Sequence, residues 1–336
     1  MEQSVEKSSV ICYIAGHSGG HIIPCLTLAQ QEKKSHHRIL FISSTKPLDS
    51  YIIKQNATVD YHHTLSIIQK RRWYLLPLLA ISLGYAFLKS LFILLWYRPQ
   101  RIISSGSIIA IPGCLAAWLL RIPIELFEVN AKPGKTIAFL AYIATRISVC
   151  FSQTKHYFPT VSCLVQPYPI RFAQSEPIPT TLSHFDSHRF TIFIQGGSQG
   201  SATLNELMQY VIENNSNILP HIQIIHQTGT HIAPLHTFYQ EHKIPAYIFS
   251  FEHDVSQYYR KANLIICRAG AGTLFEVLHF EKRCLVIPLI AATTCHQLDN
   301  AYAMARAYPS LFQVVIPNKS LFTSFEKSFI LSIKKG

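Results

Sequence analysis

Residues 10–43 read VICYIAGHSGGHIIPCLTLAQQEKKSHHRILFIS, and their reading decides the fold. VICYIA is an unbroken apolar run of strand length, the pattern of a strand buried on both faces. AGHSGGH gathers small residues that let the backbone bend and approach a neighbour closely. IIPCLTLAQQEKK carries the apolar spacing of a helix, with Pro24 in its first turn, where proline is tolerated. RILFIS is the next strand. Strand, glycine-rich turn, helix and strand make a βαβ unit, whose strands lie parallel.

The alternation continues along the chain. RIISS, IPIELF and RISVCF have strand character, with PGCLAAWLL and KTIAFLAYIA as helices between them. SEPIPTTLSHFDSH, residues 175–188, interrupts the rhythm and reads as a linker or long loop. Afterwards FTIFIQ, GGSQGS, ATLNELMQYVIEN, IQIIHQTG, LIICRAG, TLFEVLHFE and RCLVIPL restart it. The expected fold class is α/β, as two parallel-sheet domains with a cleft between them. A first domain is expected over 1–170, a second over 171–320 and a tail over 321–336.

Hydrophobic residues make up 49% of the 336 and charged ones 14%, which excludes a disordered chain. The net charge of +12 calls for an anionic partner: phosphorylated substrate, acidic lipid or nucleic acid. Nucleic acid is disfavoured, because the basic residues flank apolar helix rather than aromatics on a polar groove. Eight cysteines are scattered without a CxxC pair, several inside apolar runs, which fits buried thiols in a reducing cytoplasm. Residues 1–9 lack the basic and apolar regions of a signal peptide.

Trp73–Tyr97, WYLLPLLAISLGYAFLKSLFILLWY, is apolar nearly all round and long enough to span a bilayer. Pro77, Gly84 and Lys89 argue against a span, and the segment fills the slot of a crossover helix. Asp60 and Glu125 bracket a region with no acidic residue, where Lys70, Arg71, Arg72, Lys89, Arg98, Arg101 and Arg121 all occur. Apolar surface flanked by cations suits a helix lying in an anionic lipid interface. Peripheral attachment through the Lys70–Arg101 region is the expectation.

Ser18, Gly19, Gly20 and His21 fall between the first strand and helix, where free N–H groups and the helix dipole attract phosphate. One such cluster alone reads as well as a tight βα turn. QGGSQGS (195–201) and RAGAGTLFE (268–276) repeat the arrangement, and three together imply a diphosphate or two anionic ligands. Glu276 lies three residues after Thr273 at a helix start, able to accept from a ribose diol. The His36–His37 and His62–His63 pairs lack partners at ligand spacing, and no Asp-x-Asp pair occurs. No metal site and no cofactor are therefore expected; backbone amides and helix dipoles would stabilise a departing diphosphate.

AGHSGGHIIP, GCLAAW, FEVNAKPGK, YPIR, GGSQGS, HQTG, RAGAGTLFE and HQLDNA, in this order from about residue 9 to 305, closely resemble the MurG family. That family transfers N-acetylglucosamine from UDP-N-acetylglucosamine to the 4-hydroxyl of lipid I, an undecaprenyl-diphosphate-linked muramyl peptide, with inversion, forming lipid II for peptidoglycan. The resemblance implies a GT-B fold of two Rossmann-like domains, a tail that crosses back to the first, and residence on the cytoplasmic face of the inner membrane. It implies His21 as general base and Glu276 as the second catalytic residue, the latter on the ribose. Ser18, Gly19 and Gly20 would face the donor sugar and acceptor diphosphate. Asn130 would contact sugar, Arg171 the diphosphate, and Ser198 with Gln199 the donor phosphates. Gly272 and Thr273 would offer amides to phosphate, Glu252 would lie by uracil, and Gln297 and Asn300 by the sugar hydroxyls.

The chain departs from the family pattern mostly on the acceptor side. His17 and Ser18 replace a glycine and a threonine, and SSGSIIAIPG lacks a glycine and a tyrosine. Val129 stands for glutamine and Tyr168 for asparagine. A side chain at 17 restricts φ where glycine is free, so a reshaped turn is expected. Two other readings follow: a GT-B transferase that uses a UDP-sugar and another lipid acceptor, or a catalytically weak nucleotide-sugar-binding membrane protein.

Overall fold

The computed structural model describes residues 9–68, 76–172, 182, 185–197, 200–229, 232–252, 254–290 and 296–334. The chain divides into two compact units, Met1–Pro169 and Ile170–Gly336. In the first unit the described elements are β1 (Val10–Ile14), α1 (Gly19–Lys34), β2 (Arg38–Ser44), α2 (Pro47–Lys54) and β3 (Tyr61–Leu65). They continue as α3 (Leu76–Tyr97), β4 (Arg101–Ser104), α4 (Ala110–Leu119), β5 (Ile124–Glu128), α5 (Lys135–Leu140), β6 (Arg146–Val149) and β7 (Cys163–Val165). All seven strands run parallel in the order β3-β2-β1-β4-β5-β6-β7.

β1 shows why the opening run had to be apolar throughout. Cys12 and Ile14 point into one core with α3, α4 and α5, while Ile11 and Tyr13 point into another with α1 and α2. A strand with helices on both faces has no side left for polar residues. α1 begins earlier than the apolar spacing suggested: Ser18 is its N-cap, so Gly19, Gly20 and His21 form the first turn and Pro24 lies inside the helix.

The second unit contains β8 (Phe190–Gln195), α6 (Ala202–Asn214), β9 (Ile222–Gln227), α7 (Ile232–Glu241), β10 (Ala246–Phe249), α8 (Ser256–Lys261) and β11 (Leu264–Cys267). α9 (Ala271–His279), β12 (Arg283–Val286), α10 (His296–Ala307), β13 (Phe312–Val314) and α11 (Leu321–Lys334) complete it. Its six strands are again all parallel, in the order β10-β9-β8-β11-β12-β13. The tail expected to cross back forms α11, whose Phe325 and Phe329 are fully buried with Leu207 and Met208 in the core of this same unit. Burying two phenyl rings contributes on the order of 3–6 kcal/mol, which seats the helix there.

α3 divides its apolar residues between two environments. Ala86, Ser90, Ile93 and Leu94 are buried, with the Ser90 hydroxyl donating to the Ala86 carbonyl at 2.7 Å. Ile81, Tyr85, Leu88, Phe92 and Trp96 face outward, Trp96 at 73% exposure. Lys89 leans aside and donates to the Thr64 carbonyl at 2.8 Å. Residues 69–75, with Lys70, Arg71, Arg72 and Trp73, lie outside the described residues, as does Cys295. The other seven cysteines are free thiols, five of them buried.

Candidate active site

Both sheets reverse their strand order at a central pair, β1/β4 and β8/β11. Open parallel sheets bind ligands outside the carboxyl ends of the strands at such a switch point. The glycine-rich stretches follow β1 and β4 in the first unit and β8 and β11 in the second.

In the first unit, Ser18 is extended and makes no side-chain cap bond, and the Gly19 and Gly20 N–H groups open α1 without intrahelical acceptors. Half-buried His21 reaches across to the end of β4, where its Nδ1 lies 2.9 Å from the Ser105 carbonyl oxygen. The Ser105 hydroxyl donates back to the His21 carbonyl at 2.8 Å. A carbonyl only accepts, so Nδ1 carries the proton and the neutral ring has its lone pair on Nε2.

His17 adopts φ 72° and Ser107 φ 74°, both in the left-handed region. The His17 N–H donates to Asp49 Oδ2 at 2.7 Å, and fully buried Asp49 also accepts from the Ser44 hydroxyl. Gly16 beside it has no room for a side chain: a Cβ would lie 2.9 Å from Asp49 Oδ2 and Ser44 N. The His17 ring meets Ser107, Nδ1 to Oγ, at 3.1 Å. Burial lowers the His17 pKa and Lys46 acts the same way, against Asp49. The turn is a left-handed backbone position at His17 tied down by side chains.

Asn130 is presented by a buried carboxylate. Glu128 ends β5, and its Oε1 accepts from the Asn130 N–H at 2.8 Å and from Asn130 Nδ2 at 2.9 Å. Its Oε2 accepts from the Gly134 N–H at 2.8 Å. Burial pushes the Glu128 pKa up to about 7, although these hydrogen bonds pull it down. Asn130 thus owes its orientation to a residue that sequence reading passed over. The available signal was an acidic residue closing an otherwise apolar strand.

In the second unit, Gly200 has φ 73°, and a side chain there would collide with the Thr228 carbonyl. Gly200, just ahead of α6, is therefore pressed against the end of β9. Ser201 caps α6, its hydroxyl accepting from the Leu204 N–H at 3.4 Å and from Arg268 Nε at 2.9 Å. That bond ties the approach to α9 to the start of α6, and Arg268 also donates to the Ile287 carbonyl just after β12 at 3.3 Å. Arg268 heads the quoted glycine motif, yet only its contacts give it a task. Ser198 and Gln199 lie outside the described residues.

Gly272 and Thr273 sit in the first turn of α9, and Glu276 in its second. Glu276 is buried at 5% exposure and is brought together with Arg171, whose Nε donates to Oε1 at 3.1 Å. Its Oε2 accepts from the Tyr259 hydroxyl at 2.9 Å, and that hydroxyl lies 2.5 Å from Gln195 Oε1. Burial first, then Glu276, pushes the Tyr259 pKa up, so the hydroxyl keeps the proton it donates. Asn300 is fully buried and donates to the Ala269 carbonyl at 3.2 Å, bracing the approach to α9. Gln297 Oε1 accepts from the Leu289 N–H at 2.9 Å. Glu252 accepts from the Tyr247 hydroxyl at 2.8 Å and from that of Tyr258, beside an exposed Phe251.

Residues 11–149 match the glycosyltransferase family 28 N-terminal domain, and residues 191–317 its C-terminal domain. The UDP-N-acetylglucosamine–N-acetylmuramyl-(pentapeptide) pyrophosphoryl-undecaprenol N-acetylglucosamine transferase of Myxococcus xanthus is 30% identical over 302 residues, 88% of this chain and 78% of that protein. The protein of the same name in Protochlamydia amoebophila is 31% identical over 302 residues, 85% of this chain and 78% of its own. The crystal structure of Acinetobacter baumannii MurG aligns with a TM-score of 0.74 at 23% identity, covering 96% of this chain and 90% of that one.

This chain belongs to the MurG family. Its two parallel-sheet, Rossmann-like units make the GT-B fold. His17 and Ser107 each place a side chain at a left-handed position, and the two side chains bond each other.

Proposed function

We propose that the protein transfers N-acetylglucosamine from UDP-N-acetylglucosamine to the 4-hydroxyl of lipid I, forming lipid II. The supporting observation is the placement of Ser18–His21 and of Arg268–Thr273 after central strands, in a chain whose relatives carry that transferase name. The acceptor oxygen attacks C1 of the donor sugar, the bond from C1 to the β-phosphate oxygen breaks, and UDP departs. The acceptor proton passes to His21 Nε2, and the resulting imidazolium keeps its Nδ1–H on the Ser105 carbonyl. Amides at the starts of α6 and α9 take up charge on the leaving diphosphate, without a divalent ion.

Radiolabelled sugar should pass from UDP-N-acetylglucosamine into the lipid fraction when a lipid I analogue is supplied, with chelator present. Absence of transfer under those conditions removes the proposal. His21→Ala should keep UDP affinity and lose about 10²-fold or more in rate; a near-normal rate would leave His21 a structural role. A second reading, transfer to a different lipid-linked acceptor, is favoured by the changes at His17, Ser18, Val129 and Tyr168. Turnover of another polyprenyl-diphosphate sugar in preference to lipid I would select it.

The acceptor is tethered to lipid, and the outward face of α3 offers the matching surface. Residues Pro77–Tyr97 are long and apolar enough to cross a membrane, with 22% of the stretch buried. The buried face belongs to the core of the first unit, so lying along the cytoplasmic leaflet of the inner membrane keeps that core intact while the aromatic face enters lipid.

A further inference from the structure

We infer that Tyr259 is a positioning residue for nucleotide binding: its hydroxyl, backed by the Gln195 amide, holds the Glu276 carboxylate where its remaining lone pairs meet a ribose diol. The inference rests on the donor reading above and adds a residue to it. Tyr259 is fully buried in α8, under the end of β8 and against α9, and its ring stacks on Phe280 with centroids 5.2 Å apart. The ring has no freedom to turn away. Its hydroxyl is 2.9 Å from Glu276 Oε2 and 2.5 Å from Gln195 Oε1. One proton cannot serve both acceptors, and turning the Gln195 amide so that Nε2 donates to the tyrosine oxygen satisfies all three groups.

A carboxylate accepts about four hydrogen bonds. Arg171 Nε takes one site on Oε1 and Tyr259 one on Oε2, so each oxygen keeps a site. Two free sites on two oxygens match the two adjacent hydroxyls of a ribose. A carboxylate bonded on one side only can rotate about its last torsion, which is broad for glutamate. Bonds on both oxygens remove that rotation. Tyr259 therefore makes Glu276 a fixed two-point acceptor, and ribose is told from deoxyribose by the site's rigidity as well as by its charge.

The test compares UDP with 2′-deoxy-UDP by calorimetry on the full chain, whose stoichiometry reports the folded fraction separately. The wild-type protein should prefer UDP by about tenfold or more, the worth of one hydrogen bond to a charged group. Tyr259→Phe keeps the ring and its packing and should bring that ratio close to one while still binding UDP. Tyr239→Phe also removes a fully buried tyrosine hydroxyl, one bonded to His226 at 2.8 Å, and should leave the ratio unchanged. A Tyr259→Phe protein that keeps the wild-type ratio overturns the inference. A wild-type protein that binds both nucleotides equally overturns the ribose role of Glu276, and one that binds neither overturns the donor reading itself.

Discussion

His17 and Ser107 occupy backbone conformations that cost most L-residues about 1–2 kcal/mol relative to glycine. Each supplies half of a hydrogen bond worth about 1 kcal/mol that glycine could not make. The one bond offsets only part of the strain of the two residues, and either residue alone in place of glycine would carry its strain without the bond. His17→Gly and Ser107→Gly should each move the unfolding free energy by less than about 1 kcal/mol, with a coupling of about 0.5–1.5 kcal/mol in the double-mutant cycle. Effects that simply add would show the two sites to be independent. The motif reading found the departure at 17 and the missing glycine near 107, but their contact spans ninety residues of sequence and has no local signature. Glu128 was equally hidden. It stood within a quoted motif as an ordinary polar letter until folding buried it and turned three donors onto it.

At the scale of the element, α3 shows how composition can conceal a face. Nearly every residue from Leu76 to Tyr97 is apolar, so periodicity carries no contrast, and the helix reads alike as span, core or surface. Packing supplies the contrast: Ala86, Ser90, Ile93 and Leu94 are buried, with Phe87 and Tyr97 packed against the same core, while Ile81, Tyr85, Leu88, Phe92 and Trp96 stay exposed. The two faces should answer differently to mutation. Phe92→Glu with Trp96→Glu should leave thermal unfolding nearly unchanged and abolish binding to anionic vesicles in a flotation assay. Ile93→Ala, on the buried face, should cost about 2–5 kcal/mol of stability. Retained vesicle binding in the double glutamate variant would end the interfacial reading. The short strands β3 and β10 went unread for the opposite reason. They are edge strands, YHHTL and AYIF, only half-buried along most of their length.

For the whole molecule, a buried polar group at risk in acid is His226. It is fully buried in β9, its Nδ1 bonds the Tyr239 hydroxyl, and its Nε2 has no partner. Burial lowers its pKa to about 3. The unfolded chain therefore takes up a proton near pH 6.5 that the folded protein refuses, and stability present above that pH drains away as pH falls toward 3. Chemical denaturation at stepped pH should show this decline, and His226→Gln should flatten it; an equal slope in both proteins would assign the acid sensitivity elsewhere. The sequence by itself determined the parallel α/β class, the two units and the positions of the glycine turns. Those follow from local apolar runs and from residues whose backbone freedom is intrinsic. Only the tertiary structure decided which carboxylate holds which loop, that Arg171 and Tyr259 share Glu276, that α11 belongs to the second core, and which face of α3 is left exposed. Each depends on side chains far apart in the chain meeting in a dry interior, where an unpaired polar group is costly and partners are settled by geometry rather than by spacing.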